Sequence, residues 1–544
     1  MMFRFIRRHL FSIVPIAPFL LFPLRPLMPS DPAVQVYQGV STDDPSYRLT
    51  IATVREATVW VLRDGKGRTE VSWTDDQGVI VGAPKDGPYS MPSPESLCSQ
   101  TQSGQSMAKR MDEIQADNGD AISARIAMEA DYEYFKSAGK MNADRALAYT
   151  AAMMSVVRDL FEKEANVSLQ INWFKVWTDE ASDPYKVKGN AYALPDPVRA
   201  YWSANYKSVE RDLVHVMTSV SYGGGGFGYY DALCNKDYGF SVSSPTGLQS
   251  LPTFGFTYDA YIVAHELGHN FNARHSHDCF WDPALDTCYT KDDATLSLGD
   301  ACYSRPITPR PNNGSIMSYC ANANYTLSGN DFSKFKVDMT FLSKVSNYIR
   351  ASAVDAVSKG CLVQPNSPLL YLRTPIGEGT VSGGSPLSIA WGSARLDSVD
   401  LDYSVDGKLW IRIASAIPAR PALHEWIVPN VSTTALILRI ASSRDSAVKD
   451  GMVLPLTIKK TVGVSDNEGR ADGVTLTQES ISVNGDEPVI LIVRDLQGRM
   501  LAQRDLRANT TTSWREGLLT HGAVFVTVSS FEGRLLSRGV FLGK

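Results

Sequence analysis

Apolar residues recur at positions 143, 147, 154, 157 and 161 of ADRALAYTAAMMSVVRDLFEKE. That stripe is one face wide at the helical period, so it predicts an amphipathic helix. VSLQINW follows with period-two alternation and predicts a strand, because successive strand side chains point to opposite faces. DLVHVMTSV predicts a second strand. GGGG at 223–226 excludes ordinary helix, and FGYYDALC after it predicts an exposed edge strand. TYDAYIVAHELGHNF predicts the next helix, and NDFSKFKVDMTFLSKVSNYIRAS a final amphipathic one. A cysteine-rich, strand-poor loop ending at Cys320 lies between them. Residues 105–361 are therefore expected to form one domain of alternating strands and helices.

The flanks read differently. Residues 31–104 hold short β-rich runs, YRLTIATV and ATVWVL, separated by DGKG and DDQG turns and followed by the linker-like YSMPSPESLCSQ. They are expected to be a small pro-segment or N-terminal β module. Over 365–460, LSIAW, SVDLDYSVDGKLWIRIA, HEWIVP and ALILRIAS alternate at turn-punctuated spacing, which predicts an all-β sandwich, Ig-like or fibronectin-like. Trp391, Tyr403, Trp410 and Trp426 there suit a sugar-binding platform or, alternatively, sandwich core and rim. Residues 462–544 predict a last β module, with LQGR and FEGR as the turns of two hairpins. The expected fold class is a multidomain chain: an α/β (α+β) domain followed by two all-β sandwich-like modules.

Composition fits that picture. At 544 residues, roughly 150 per domain gives three or four domains. The chain is 44% hydrophobic and 20% charged, with net charge −5 and no basic block or stripe, so nucleic acid is excluded as a partner class. The N-terminus begins MMFRFIRRH and continues LFSIVPIAPFLLF, thirteen residues long. A basic start before a short apolar run is the order of a secretory signal peptide, here residues 1–30, with a membrane anchor as the alternative. An exported chain meets an oxidising compartment. Of the seven cysteines, six lie between 234 and 361, enough for three disulfides whose pairing the sequence does not choose. Cys98 is left over.

The densest chemistry is HELGHNFNARHSHD at 265–278, which holds four of the eight histidines. His265 and His269 are spaced i, i+4, so a helix puts both imidazoles on one face, able to point at one ion. Zinc suits such ligands and brings the pKa of a bound water to about 7. Glu266 is displaced from direct ligation but close enough to act as general base. A catalytic zinc site takes three protein ligands and keeps one position open. His275 is the third candidate, six residues after His269, and His277 is its rival.

This run matches the metzincin zinc motif H-E-x-x-H-x-x-G-x-x-H at every position except the glycine, where Asn272 stands. Asn is the next-best residue for a left-handed turn. Downstream, NNGSIMSYC holds Met317 where the family has its Met-containing turn, and Tyr319 two residues on. Residues 105–361, about half of the chain, thus resemble a metzincin catalytic domain, closest to the reprolysin (adamalysin)-like bacterial peptidases. The resemblance implies a mixed sheet, a long active-site helix, and an edge strand near 225–234 that pairs with extended substrate by β-augmentation. It implies one catalytic zinc on His265, His269 and His275. It implies Glu266 as general base, Met317 as an apolar floor, and Tyr319 either as an oxyanion stabiliser or in simple packing. Cys98 precedes this domain and is a candidate zymogen switch, with a disulfide or a free thiol as alternatives.

The tail, V489-ILIVRDLQGRMLAQ and L519-THGAVFVTVSSFEGRLLSRGVFL, resembles the type IX secretion sorting domain, although Gly522-Ala523 replaces the usual Gly-Tyr. That resemblance implies export through the periplasm to the cell surface or medium, with the outer-membrane secretion machinery as partner. The alternative is an adhesive β domain. Expected overall is a secreted, monomeric zinc endopeptidase made as a precursor and acting on proteins or peptides. The rival is a non-catalytic adhesion protein on a peptidase-like scaffold. Asp278, Asp282, Asp292 and Asp293 are calcium candidates, but a solvated loop reads better.

Overall fold

The computed structural model describes residues 19–41, 47–63, 69–82, 98–99, 119–186, 193–219, 225–245, 247, 255–281, 284–286, 313–321, 336–362, 365, 367–375, 379–452, 455–460, 474–476, 480–484, 488–495, 500–513, 523–530 and 535–542. It is a mixed α/β structure with several sheets and few helices. Two compact units divide the chain. The first holds 1–378, 388–424 and 435–455; the second holds 379–387, 425–434 and 456–544. Among the described residues no helix is long and apolar enough to cross a membrane.

The first unit opens with an antiparallel meander of six strands in sequence order: β1 (Phe19–Pro23), β2 (Val34–Ser41), β3 (Arg48–Val54), β4 (Ala57–Arg63), β5 (Thr69–Thr74) and β6 (Ile80–Gly82). A second, mixed sheet is built from β7 (Cys98–Ser99), β8 (Ile122–Ala130), β9 (Val167–Val176), β10 (Leu213–Met217), β11 (Gly226–Gly228) and β12 (Phe240–Ser243). Its spatial order is β7-β11-β12-β10-β8-β9. Strands β8, β9, β10 and β12 run parallel, and β11 runs antiparallel to β12. The helices are α1 (Tyr132–Ser137), α2 (Ala143–Ala165), α3 (Pro195–Asn205), α4 (Gly255–Asn270) and α5 (Ser343–Ser358).

Helix α2 starts where the Asn142 side chain accepts from Arg145 N–H and stops where Asn166 turns left-handed at φ 55°. Its sequence stripe is one face wide, yet 17 of its 23 residues are buried. The meander covers the second face: Val36, Ala52, Val54, Val59, Val61 and Trp73 share one core cluster with Leu147, Met153, Met154 and Phe161. Alanines and Ser155 on that side let a helix be buried all round without an all-apolar pattern. The buried Arg145 guanidinium donates to Thr74 O (2.9 Å) and pairs with Asp76 (2.8 Å), tying α2 to the end of β5.

The expected final helix is shorter than its pattern: α5 begins at Ser343. The residues before it run extended beside the 314–317 turn. Gly314 N–H donates to Lys336 O, Asp338 N–H to Gly314 O and Ile316 N–H to Thr340 O. Those backbone groups are spent on the turn and are lost to a helix.

Downstream in the first unit, Leu369–Thr374 pairs antiparallel with 390–394, and Ser398–Ser404 with Ile411–Pro418 and with 437–442. Trp391 is core, 1% exposed with its indole N–H on Ala419 O, so it cannot be part of an open sugar platform. Trp410 lies under the Arg439 guanidinium at 4.2 Å. In the second unit, Val474–Leu476, Ser480–Val483 and Thr510–Ser513 form one sheet. Met500–Leu506, Val489–Asp495, Ala523–Ser530 and Leu535–Leu542 form another, in that order. Val483, Leu491, Val493, Val526 and Val528 are among the residues of that unit's own core.

Candidate metal centre

Helix α4 carries His265, Glu266 and His269 into the interior, each at most 3% exposed. The i, i+4 spacing brings the two imidazoles together, with Nε2 atoms 3.1 Å apart. The helix ends on a paired-bond cap. Asn272 N–H donates to His269 O at 2.8 Å. Ala273 N–H donates to Gly268 O at 3.0 Å. Asn272 itself takes φ 69°. So Asn at this position does adopt the left-handed conformation that the motif's glycine would supply. The turn returns His275 to the site, its Nε2 3.2 Å from that of His265. Three ligand atoms at tetrahedral angles and about 2.0–2.1 Å from a zinc would stand roughly 3.3 Å apart, so this trio fits one ion.

The rings are also held in the required tautomer. His265 Nδ1 is 2.6 Å from Ile316 O. His269 Nδ1 is 2.7 Å from Ala273 O. In both rings Nδ1–H therefore donates, and each Nε2 lone pair faces the centre. Burial pushes the His265 pKa down to about 3, and burial with its two neighbours holds His269 well below the usual histidine value. Neutral imidazole is the form a metal needs. Among the described residues, His265, His269 and His275 are the one group of this kind. His277, the rival, is fully buried, and its ring stacks on that of His275 at 5.1 Å outside the trio. Of the calcium candidates, Asp278 spends Oδ1 on Phe280 N–H (2.8 Å), and Asp282, Asp292 and Asp293 lie outside the described residues.

Two glycine contacts explain the packing around the trio. A Cβ on Gly268 would stand 2.8 Å from Met317 Sδ, so the thioether lies directly beneath the ligand helix. A Cβ on Gly226 would stand 2.5 Å from Glu266 Cγ and Oε1, and one on Gly228 2.5 Å from Glu266 O. The glycines of β11 therefore admit the strand against the protein's own helix. The expected exposed edge strand is corrected: β11 is only three residues, is buried, and is not the edge, because β7 pairs along it in parallel with Gly226 opposite Cys98. The Cys98 side chain lies outside the described residues.

The turn under the site is fixed by three successive carbonyls. Ile316 O takes the His265 ring, Met317 O takes Ser276 N–H (2.8 Å), and Ser318 O takes the Tyr261 hydroxyl (3.0 Å). The sequence reading missed Tyr261 and Ser276. Tyr261 was legible, one helical turn before His265 on the same face; Ser276 carried no signal of its own. The Tyr319 ring lies 4.5 Å from His275 and 4.9 Å from His277, beside the trio. Cys234 and Cys361 form a disulfide, and Cys320 is also disulfide-bonded.

Residues 122–333 match the family model Reprolysin_5, described as metallo-peptidase family M12. The match supports a reprolysin-like metzincin domain over those residues, and with it protease chemistry in general. Peptidases of this family use zinc, and the histidine trio lies within the matched stretch. No curated protein matches the chain. Among solved structures, the chain is similar to the fibronectin(III)-like modules of CbhA from Clostridium thermocellum, at 13% identity and TM-score 0.13, covering 32% of this chain and 92% of that one. It is also similar to the BSP domain of a biofilm associated protein, at 13% identity and TM-score 0.12, covering 30% of this chain and 28% of that one.

Proposed function

We propose that the chain is a secreted zinc-dependent endopeptidase, made as a precursor, that hydrolyses peptide bonds in proteins. The observation that carries the reading is the convergence of three buried imidazoles, two of them tautomer-locked, beside a buried Glu266. Zinc held by His265, His269 and His275 would supply a Lewis acid and a water of lowered pKa. Glu266 accepts a proton from the attacking water and returns it to the leaving amine. Tyr319 is offered as a donor to the carbonyl oxygen as it becomes an oxyanion. Met317 supplies the apolar floor. An extended substrate would pair along β11.

The same strand supports the precursor reading. Strand β7 occupies the outer side of β11, next to the glycine packed on Glu266, so a segment lying there competes with substrate for that edge until its anchor is lost. Cys98 is proposed as the thiol that blocks the centre before processing. The export signal expected at 1–30 is proposed to act from the residues ahead of Phe19, since Phe19–Pro23 pairs with β2 and Leu27 is 2% exposed. Residues 462–544 are proposed as a sorting domain for the outer-membrane secretion machinery, and the working form as a monomer.

The test uses the full chain carrying Cys98→Ser, loaded with zinc, on an unfolded protein substrate. Cleavage is expected and should disappear with a chelator. Glu266→Ala should lower kcat by about 100-fold or more while the zinc stays bound. A zinc-loaded, folded chain that does not cut would favour the adhesion reading. So would Glu266→Ala protein that performs unchanged in a cell-attachment assay.

A further inference from the structure

The position where the zinc motif has glycine carries a side chain that makes a specific bond. The Oδ1 of Asn272 accepts the backbone N–H of Asp231. Asp231 lies in the 229–239 loop that joins β11 to β12, and it is itself left-handed at φ 52°. Two further side chains, at alternate positions of the same turn, reach that loop. The Asn270 amide donates to Tyr229 O and to Phe240 O, both at 3.1 Å, so it spans the loop's two ends. The Arg274 guanidinium lies 3.8 Å above the Tyr230 ring, and that ring stands edge-on to His269 at 5.1 Å.

Strand β11 is short. It pairs with β12 through three residues, Gly226, Phe227 and Gly228, two of which have no side chain, and with β7 through two. Yet its placement is exacting, because Gly226 and Gly228 stand directly against Glu266 and His269. A small shift there moves the strand relative to the general base.

We propose that Asn272 is a positioning residue: it bolts the zinc-ligand turn to the β11–β12 hairpin, so that the strand offered to substrate and the metal ligands move as one body. The role in substrate binding rests on the endopeptidase reading above; the mechanical link does not. Glycine would satisfy the positive φ of this position at least as well as Asn, so the backbone conformation alone gives no reason for a side chain here. Glycine offers no acceptor to Asp231 N–H.

The experiment compares the full chain carrying Cys98→Ser with the same chain carrying Asn272→Gly as well. Glycine keeps the left-handed turn, so the fold should be retained. Amide hydrogen exchange is read at Asp231 and along 226–228, and zinc affinity by competition with a chromophoric chelator. Neither readout needs activity. Faster exchange at Asp231 and along 226–228 is expected, with zinc affinity within about twofold of the parent. In peptide cleavage KM should rise about fivefold or more, with kcat changed less than about twofold. Asn272→Asp, which keeps an acceptor oxygen, should recover the protection at Asp231. Unchanged exchange along 226–228 in Asn272→Gly overturns the link, whatever the activity. Faster exchange with an unchanged KM overturns the positioning role. Faster exchange in a parent that cuts nothing keeps the link and defeats the peptidase reading instead.

Discussion

At the scale of single residues, the site depends on atoms that are missing as much as on atoms present. The backbone of Gly226 touches the carboxylate that would act as base. Gly226→Ala should push Glu266 off its position and lower kcat at least about tenfold, with zinc content unchanged; steady-state kinetics beside metal analysis would show it. Two of the candidate zinc ligands were legible from spacing, because the helical period puts both imidazoles on one face. The third needed a turn, and Asn272 made that turn readable through its tolerance of positive φ. Its bond to Asp231 was not legible, since the two residues are 41 apart in sequence. A second buried histidine outside the site gives a pH prediction. His215, on β10, is fully buried with Nδ1 2.8 Å from Ser241 Oγ, and burial lowers its pKa to about 3. The unfolded chain takes up that proton below about pH 6.5, and the folded chain does so only near 3. Stability is therefore lost as pH falls through that window, by about 1.4 kcal/mol per unit from this group. Urea unfolding at about pH 7 and about pH 5.5 should show His215→Gln losing roughly 1 kcal/mol less than the parent. Equal losses would refute the assignment.

At the scale of elements, hydrophobic period located the helices and strands near the site but not their ends. The helix expected from residue 330 begins at Ser343, because 336–340 serves the 314–317 turn instead. A period count sees amphipathicity; it does not see backbone groups already committed to a distant segment. The same limit applies to β11. FGYYDALC reads as one long strand, but after Gly228 the chain leaves the sheet into the loop held by Asn270 and Asn272. Helix α2 shows the opposite error, a one-faced stripe on a helix buried on nearly every side.

At the scale of the molecule, that buried second face changes how the N-terminal residues are regarded. The meander shares one core with α2 and with the helix that bears the ligands. The chain before β2 is built in as well. Leu27 is 2% exposed, its carbonyl takes Ile171 N–H, and Arg158 donates to Arg25 O and Pro26 O. A chain starting at about residue 105 should therefore expose an apolar face of α2 and aggregate. A chain from 19 to 362 should unfold as one cooperative transition. Size-exclusion and calorimetry on the pair would separate the cases, and a soluble, cooperative 105–362 fragment would show that the meander is dispensable.

The sequence by itself offered the candidate chemistry. Two histidines and the carboxylate beside the first follow from side-chain type and spacing along a helix, which are local properties; His275 and Met317 came with the resemblance to a family motif. Tertiary structure alone decided what surrounds them: which strand lies on Glu266, which carbonyls lock the rings, and which layer covers α2. Apart from the His269–Ala273 pair, those contacts join residues tens of positions or more apart. No local pattern encodes them, because the same glycine, serine or alanine reads alike in a loop, a turn or a packed face until its partner arrives.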